Sequence, residues 1–96
     1  MGQVMTLIET VKSLDDLDDG DTIYAAEPWT ENSKAIVAPE PASGGLPDQA
    51  AGLELKYFLE VSVAREFLEG WTGNLGAEPT LRAKVERLTQ YAINDA

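Results

Sequence analysis

Seventeen consecutive positions, Asp15 to Glu31, hold seven carboxylates and no base: Asp15, Asp16, Asp18, Asp19, Asp21, Glu27 and Glu31. Such a run can ligate a hard cation, do acid–base work in pairs, or present a charged surface. The first option needs calcium-loop spacing, Asp-x-Asp-x-Asp-Gly with a Glu at position twelve. A loop begun at Asp15 puts Asp19 at five and Gly20 at six, but Leu17 at three and Ala26 at twelve. One begun at Asp16 recovers Asp18 at three and Glu27 at twelve, yet moves Gly20 to five and Asp21 to six, and Pro28 disfavours an exiting helix at Glu27. Neither register is complete, so no metal ligand is assigned and a calcium-responsive module stands only as an alternative.

Acid–base chemistry needs two carboxylates held together in a cleft. Glu66 and Glu69 lie three apart with Arg65 beside them, which is the pattern of a solvated helix face. The surface option gains from Trp29, which stands between Glu27 and Glu31 and belongs to no apolar stripe. An aromatic so placed either lids a small core or anchors a partner.

The chain has 96 residues, with 17 Asp and Glu against 7 Lys and Arg, no His and no Cys, for a net charge of -10. That composition leaves no disulfide framework, thiol nucleophile, imidazole ligand or Ser-His pair. Ser43 lies in Ala-Ser-Gly-Gly without a base to activate it, and Gly70, Gly73 and Gly76 match neither a P-loop nor a dinucleotide fingerprint. No cofactor is expected, and the reading is non-enzymatic. A phosphate-tracking nucleic-acid binder or an anionic-membrane binder would need clustered bases instead. The apolar runs fall far short of a membrane span, and Met1 to Leu7 lacks the basic start of a secretory leader, so cytoplasmic residence is the default expectation. The charge is also uneven. Residues 1–60 carry twelve acids and three bases, a net of -9, and residues 61–96 carry five acids and four bases, a net of -1.

The elements that must hold the acidic run can be placed by periodicity. Val4, Leu7, Ile8, Val11 and Leu14 mark one helix face, with Thr6 and Glu9 spaced as a capping box. The helix must stop before the aspartates, which would oppose its dipole, and Ser13 with Asp16 suits a fresh turn. Thr22–Ala26 and Lys34–Ala38 read as a hairpin about the turn from Glu27 to Ser33. Pro39 to Gly52 is rich in Pro and Gly and reads as a loop, either mobile or involved in binding. From Leu53 to Val63 the chain alternates as a strand, with Leu53, Leu55, Tyr57, Leu59, Val61 and Val63 inward and Phe58 on the outer face, either under a helix that covers that side or in an exposed patch. Val63, Phe67, Leu68 and Trp71 then suggest a helix interrupted or ended by Gly70, Gly73 and Gly76. Thr80 caps a last helix that buries Leu81, Val85, Leu88 and Ala92. The expected fold is one α+β domain over 1–96, a small three-stranded antiparallel sheet with an N-terminal helix and two C-terminal helices packed on one face.

Four segments, Asp19-Gly-Asp-Thr-Ile-Tyr-Ala-Ala-Glu-Pro-Trp-Thr, Lys34-Ala-Ile-Val-Ala-Pro-Glu, Tyr57-Phe-Leu-Glu-Val-Ser-Val-Ala-Arg-Glu-Phe-Leu-Glu-Gly-Trp and Tyr91-Ala-Ile-Asn-Asp-Ala, resemble a small acidic bacterial family of unknown function. The resemblance spans nearly the whole chain. It implies a bacterial or phage intracellular protein, and it transfers no activity, cofactor or site.

The expected function is that of a small acidic binding protein, immunity-protein-like or a nucleic-acid mimic, that inhibits or sequesters a basic partner such as a nuclease or nucleic-acid-binding effector. Its contact residues would be Asp15, Asp16, Asp18, Asp19, Asp21, Glu27, Trp29 and Glu31, steering by charge before Trp29 packs. The alternative from another class is a structural or regulatory homodimer that joins through the face bearing Phe58 or through the sheet edge.

Overall fold

The computed structural model describes residues 3–95; Met1 and Gly2, where the leader expectation begins, and Ala96 lie outside the described residues. Thr6 caps the first helix as its spacing requires. Its hydroxyl accepts the Glu9 N–H at 3.3 Å, and the Glu9 carboxylate accepts the Thr6 N–H at 2.8 Å. The helix, α1, runs Leu7–Lys12 and gives way to a 3-10 turn, Leu14–Asp16, so the aspartates fall beyond its C-terminus. Its first free donors are also satisfied. Leu7 and Ile8 N–H donate to the carbonyls of Ser33 and Glu31 at 2.8 and 3.0 Å, tying α1 to the hairpin turn.

The sheet has four strands, not three. β1 is Met5–Thr6, β2 Asp21–Ala25, β3 Lys34–Pro39 and β4 Lys56–Glu60, in the order β1-β3-β2-β4 with antiparallel pairing throughout. The extra strand pairs two residues, Met5 with Ala35 and Thr6 with Lys34, too short for any periodicity to announce it. Central β2 is buried at four consecutive positions, Thr22 to Ala25, because both of its faces are covered.

One face carries α1 with α3 (Val61–Gly73) and α4 (Leu81–Asp95), which share a core including Leu7, Ile23, Phe58, Ala64 and Leu88. Thr80 caps α4 by accepting the Ala83 N–H at 3.1 Å. The three helices expected on one face are therefore there. The Pro39–Gly52 stretch, expected as a loop, contains α2 (Asp48–Gly52) and lies over the opposite face. There it builds a smaller core of Tyr24, Ile36, Ala50 and Leu55.

The long alternating strand is shorter than its pattern. Leu53 and Glu54 form the exit from α2, Glu54 with φ of 60°, and the Leu55 N–H donates back to Ala50 O at 2.9 Å. At the other end α3 begins directly at Val61. Alternation also fails inside the strand. Ile23 faces Leu59 and Tyr24 faces Tyr57, so Phe58 is the extra residue of a bulge. The bulge turns Phe58 inward beside Leu59, to 2% exposure, and leaves Tyr57 at 47%. Phe58 thus packs beneath the helices rather than in an exposed patch, and its own ring is not open to a homodimer contact. Gly70 sits inside α3 without breaking it, and of Gly70, Gly73 and Gly76 it is Gly76, beyond the helix end, that takes positive φ.

Candidate functional site

The acidic run is divided by the fold. Asp15 and Asp16 lie in the 3-10 turn, Asp18 and Asp19 in the loop after it, and Asp21 at the start of β2. Glu27, Trp29 and Glu31 belong to the turn beyond the far end of the same strand. The length of β2, about 13 Å at the usual rise, separates the two groups. The structure brings the five aspartates together at one end of the strand and Trp29 with the two glutamates at the other.

The aspartate loop is organised by a base from another element. Arg65 on α3 donates through Nε to Leu14 O at 3.0 Å, through its two terminal nitrogens to Leu17 O and to Asp19 Oδ1, and is itself mostly buried. One guanidinium thereby fixes two backbone carbonyls and neutralises one carboxylate. Asp18 Oδ1 accepts the Gly20 N–H at 2.9 Å and the Asp21 N–H reaches Asp18 O at 3.0 Å, a short turn that delivers the chain into β2. Asp15, Asp16 and Asp18 remain exposed, and Asp21 is half-buried. Among the described residues no three acidic side chains gather as a metal site requires.

At the other end Trp29 takes the first of the two roles its position allows. Its Nε1–H donates to Ala25 O at 3.0 Å, and its ring meets Phe58 edge-on with centroids 4.9 Å apart, which makes it a lid over the main core. The half-buried indole also lines a groove of about 500 Å³ between this turn and α4. Glu31 lines the same groove, and both its oxygens accept from Arg82, at 3.0 and 3.1 Å. The hydrogen bonds and charge of Glu31, with Glu86 one turn along α4 adding to them, raise the Arg82 pKa above its ordinary value. Ser33 stiffens the turn, its hydroxyl accepting the Thr30 N–H at 2.9 Å and donating to Pro28 O at 3.2 Å. Glu27 is exposed on this turn.

Arg65, Arg82 and Glu86 carry the geometry of these two places, yet nothing local in the sequence marks them. Asp19 and Arg65 are 46 positions apart, and Glu31 and Arg82 are 51. The one available signal is indirect: four of the seven bases lie in residues 61–96, where something must compensate the acids packed against them.

No family model, curated protein or solved structure matches the chain. Among the described residues no helix is long and apolar enough to cross a membrane.

Proposed function

We propose that this chain is a non-enzymatic acidic binding protein that covers a basic surface of a protein partner, of the sort a nuclease or another nucleic-acid-binding effector uses to hold phosphates. The supporting observation is the aspartate loop, whose backbone is fixed by Arg65 while Asp15, Asp16 and Asp18 face solvent. Carboxylates displayed from an ordered backbone lose little conformational freedom on binding, so more of their attraction survives as affinity. Their field speeds encounter with a positive surface, and at short range they stand where phosphates would lie.

The test begins with the partner recovered by co-purification from the native host and measures its binding to the purified chain. Affinity should fall at least tenfold between about 0.05 and 0.2 M salt, as multi-charge contacts do. It should fall again when Asp15, Asp16 and Asp18 are changed together to Asn. A recovered partner that is acidic, or one indifferent to both salt and the triple change, removes this reading.

A further inference from the structure

Among the described residues, two grooves of similar size reach the acidic segment, and their charges differ. The first, about 480 Å³, lies beside the aspartate loop, where Asp15, Glu69 and Glu78 share the walls with Lys12, Arg65 and Lys84. Three acids meet three bases, so it offers a further cation nothing. The second, about 500 Å³, has Glu31 and Glu86 against Arg82 alone, with Trp29 as a wall. One carboxylate there has no counter-charge among the groove's lining residues.

Arg82 demonstrates what this groove accepts. Its Nε and Nη2 donate to the two oxygens of Glu31 at 3.1 and 3.0 Å, the forked geometry that a guanidinium makes and an ammonium does not. The two partners are unequally held, because the Arg82 side chain is 69% exposed and that of Glu31 only 27%. Glu31 is also anchored through its carbonyl, which accepts the Ile8 N–H at 3.0 Å. The carboxylate is therefore the fixed element and the arginine the replaceable one. Trp29 is fixed too, by Ala25 O and by Phe58, and an aromatic wall beside carboxylates is a setting in which a guanidinium and its stem both find contacts.

We propose that the groove between Trp29 and α4 is a slot for an arginine side chain of the partner, received by Glu86 and Glu31, and that Arg82 is a resident competitor which the incoming arginine displaces. This rests on the reading of the chain as a binder of basic partners, and it adds which end grips and by which side chain. The aspartate loop supplies long-range attraction, and the Trp29 groove supplies recognition. The sign of one substitution separates this from a merely structural ion pair: removing Arg82 should strengthen binding.

The experiment titrates the whole chain with an acetylated, amidated Gly-Arg-Gly tripeptide and its Gly-Lys-Gly counterpart, following the Trp29 indole N–H by nuclear magnetic resonance, with W29F to assign it against Trp71. The arginine peptide should shift the Trp29 signal saturably and leave Trp71 in place. Its affinity should rise about three- to fivefold in R82Q and fall by a similar factor in E86Q, the size expected for one charge at an exposed site. The lysine peptide should bind more weakly. Equal or weaker binding in R82Q, equal binding of the lysine peptide, or no shift at Trp29 overturns the slot. If D15N/D16N/D18N alone abolishes peptide binding, the arginine is taken by the aspartate loop: the slot fails and the acidic-binder reading stands. That reading fails separately, through the salt dependence and charge of the recovered partner.

Discussion

Tyr24 is a side chain whose position in the fold works against its chemistry. It is fully buried beneath the segment that carries α2, and among the described residues its hydroxyl has no hydrogen-bond partner. An unsatisfied buried hydroxyl costs about 1–3 kcal/mol, so Tyr24→Phe should stabilise the fold by about 1 kcal/mol, read as a raised denaturant midpoint. Burial raises the Tyr24 pKa above the ordinary tyrosine value, and the charge of Glu40 adds to the rise. The native state therefore holds this proton more tightly than the unfolded chain does. Its contribution is fully present below the unfolded value of about 10 and is lost as pH climbs through the folded value. Alkaline titration of stability should show a fall that is smaller in Tyr24→Phe, and identical profiles would contradict the assignment. Arg65 is the opposite case, one side chain satisfied on every arm. Arg65→Met should speed hydrogen exchange at Leu17 and Asp21, whose amides close the aspartate turns, while leaving Ile36 in β3 protected.

Among the elements, the bulge in β4 has the most direct consequence. It puts Phe58 into the main core against Trp29 and leaves Tyr57 beside Tyr24 on the other side, rings edge-on at 6.4 Å. Phe58→Ala should cost about 3–5 kcal/mol, and Tyr57→Ala should cost clearly less; strict alternation along the strand gives the reverse order. This contrast marks how far the sequence is legible. Elements set by neighbours in the chain were readable: the Thr6–Glu9 capping box, the Thr80 cap, the hairpin and the buried stripe of α4 all follow from spacings of a few residues. What was not readable depends on partners distant in sequence. The bulge exists only against Ile23 and Tyr24, β1 only against Ala35 and Lys34, and α2 is masked by the prolines and glycines around it. The candidate site divides along the same line. Its acids and Trp29 stand out in the sequence, but their separation by β2 and their pairing with Arg65 and Arg82 required the fold. The edge of β4 is also poorly suited to pairing with a second copy, since its bulge and its terminal Lys56 and Glu60 are features that blunt an edge.

For the whole molecule, a net charge of -10 on 96 residues sets folding and binding against each other in their response to salt. Like charges repel within the compact state, and screening relieves that repulsion. The thermal midpoint should therefore rise by a few degrees from about 0.01 to 0.15 M salt, over the range in which partner affinity falls. A midpoint that drops instead would mean that the Arg65–Asp19 and Arg82–Glu31 pairs outweigh the repulsion. Charge taken as a total misses this balance, and Arg65 shows why. Exchange that arginine with an exposed residue elsewhere on α3, and the composition, isoelectric point and migration in a focusing gel all stay as they were. The aspartates, however, would hang from an untethered loop. Two isomeric chains, indistinguishable by every bulk measure of acidity, would then differ in whether their acidity has a shape.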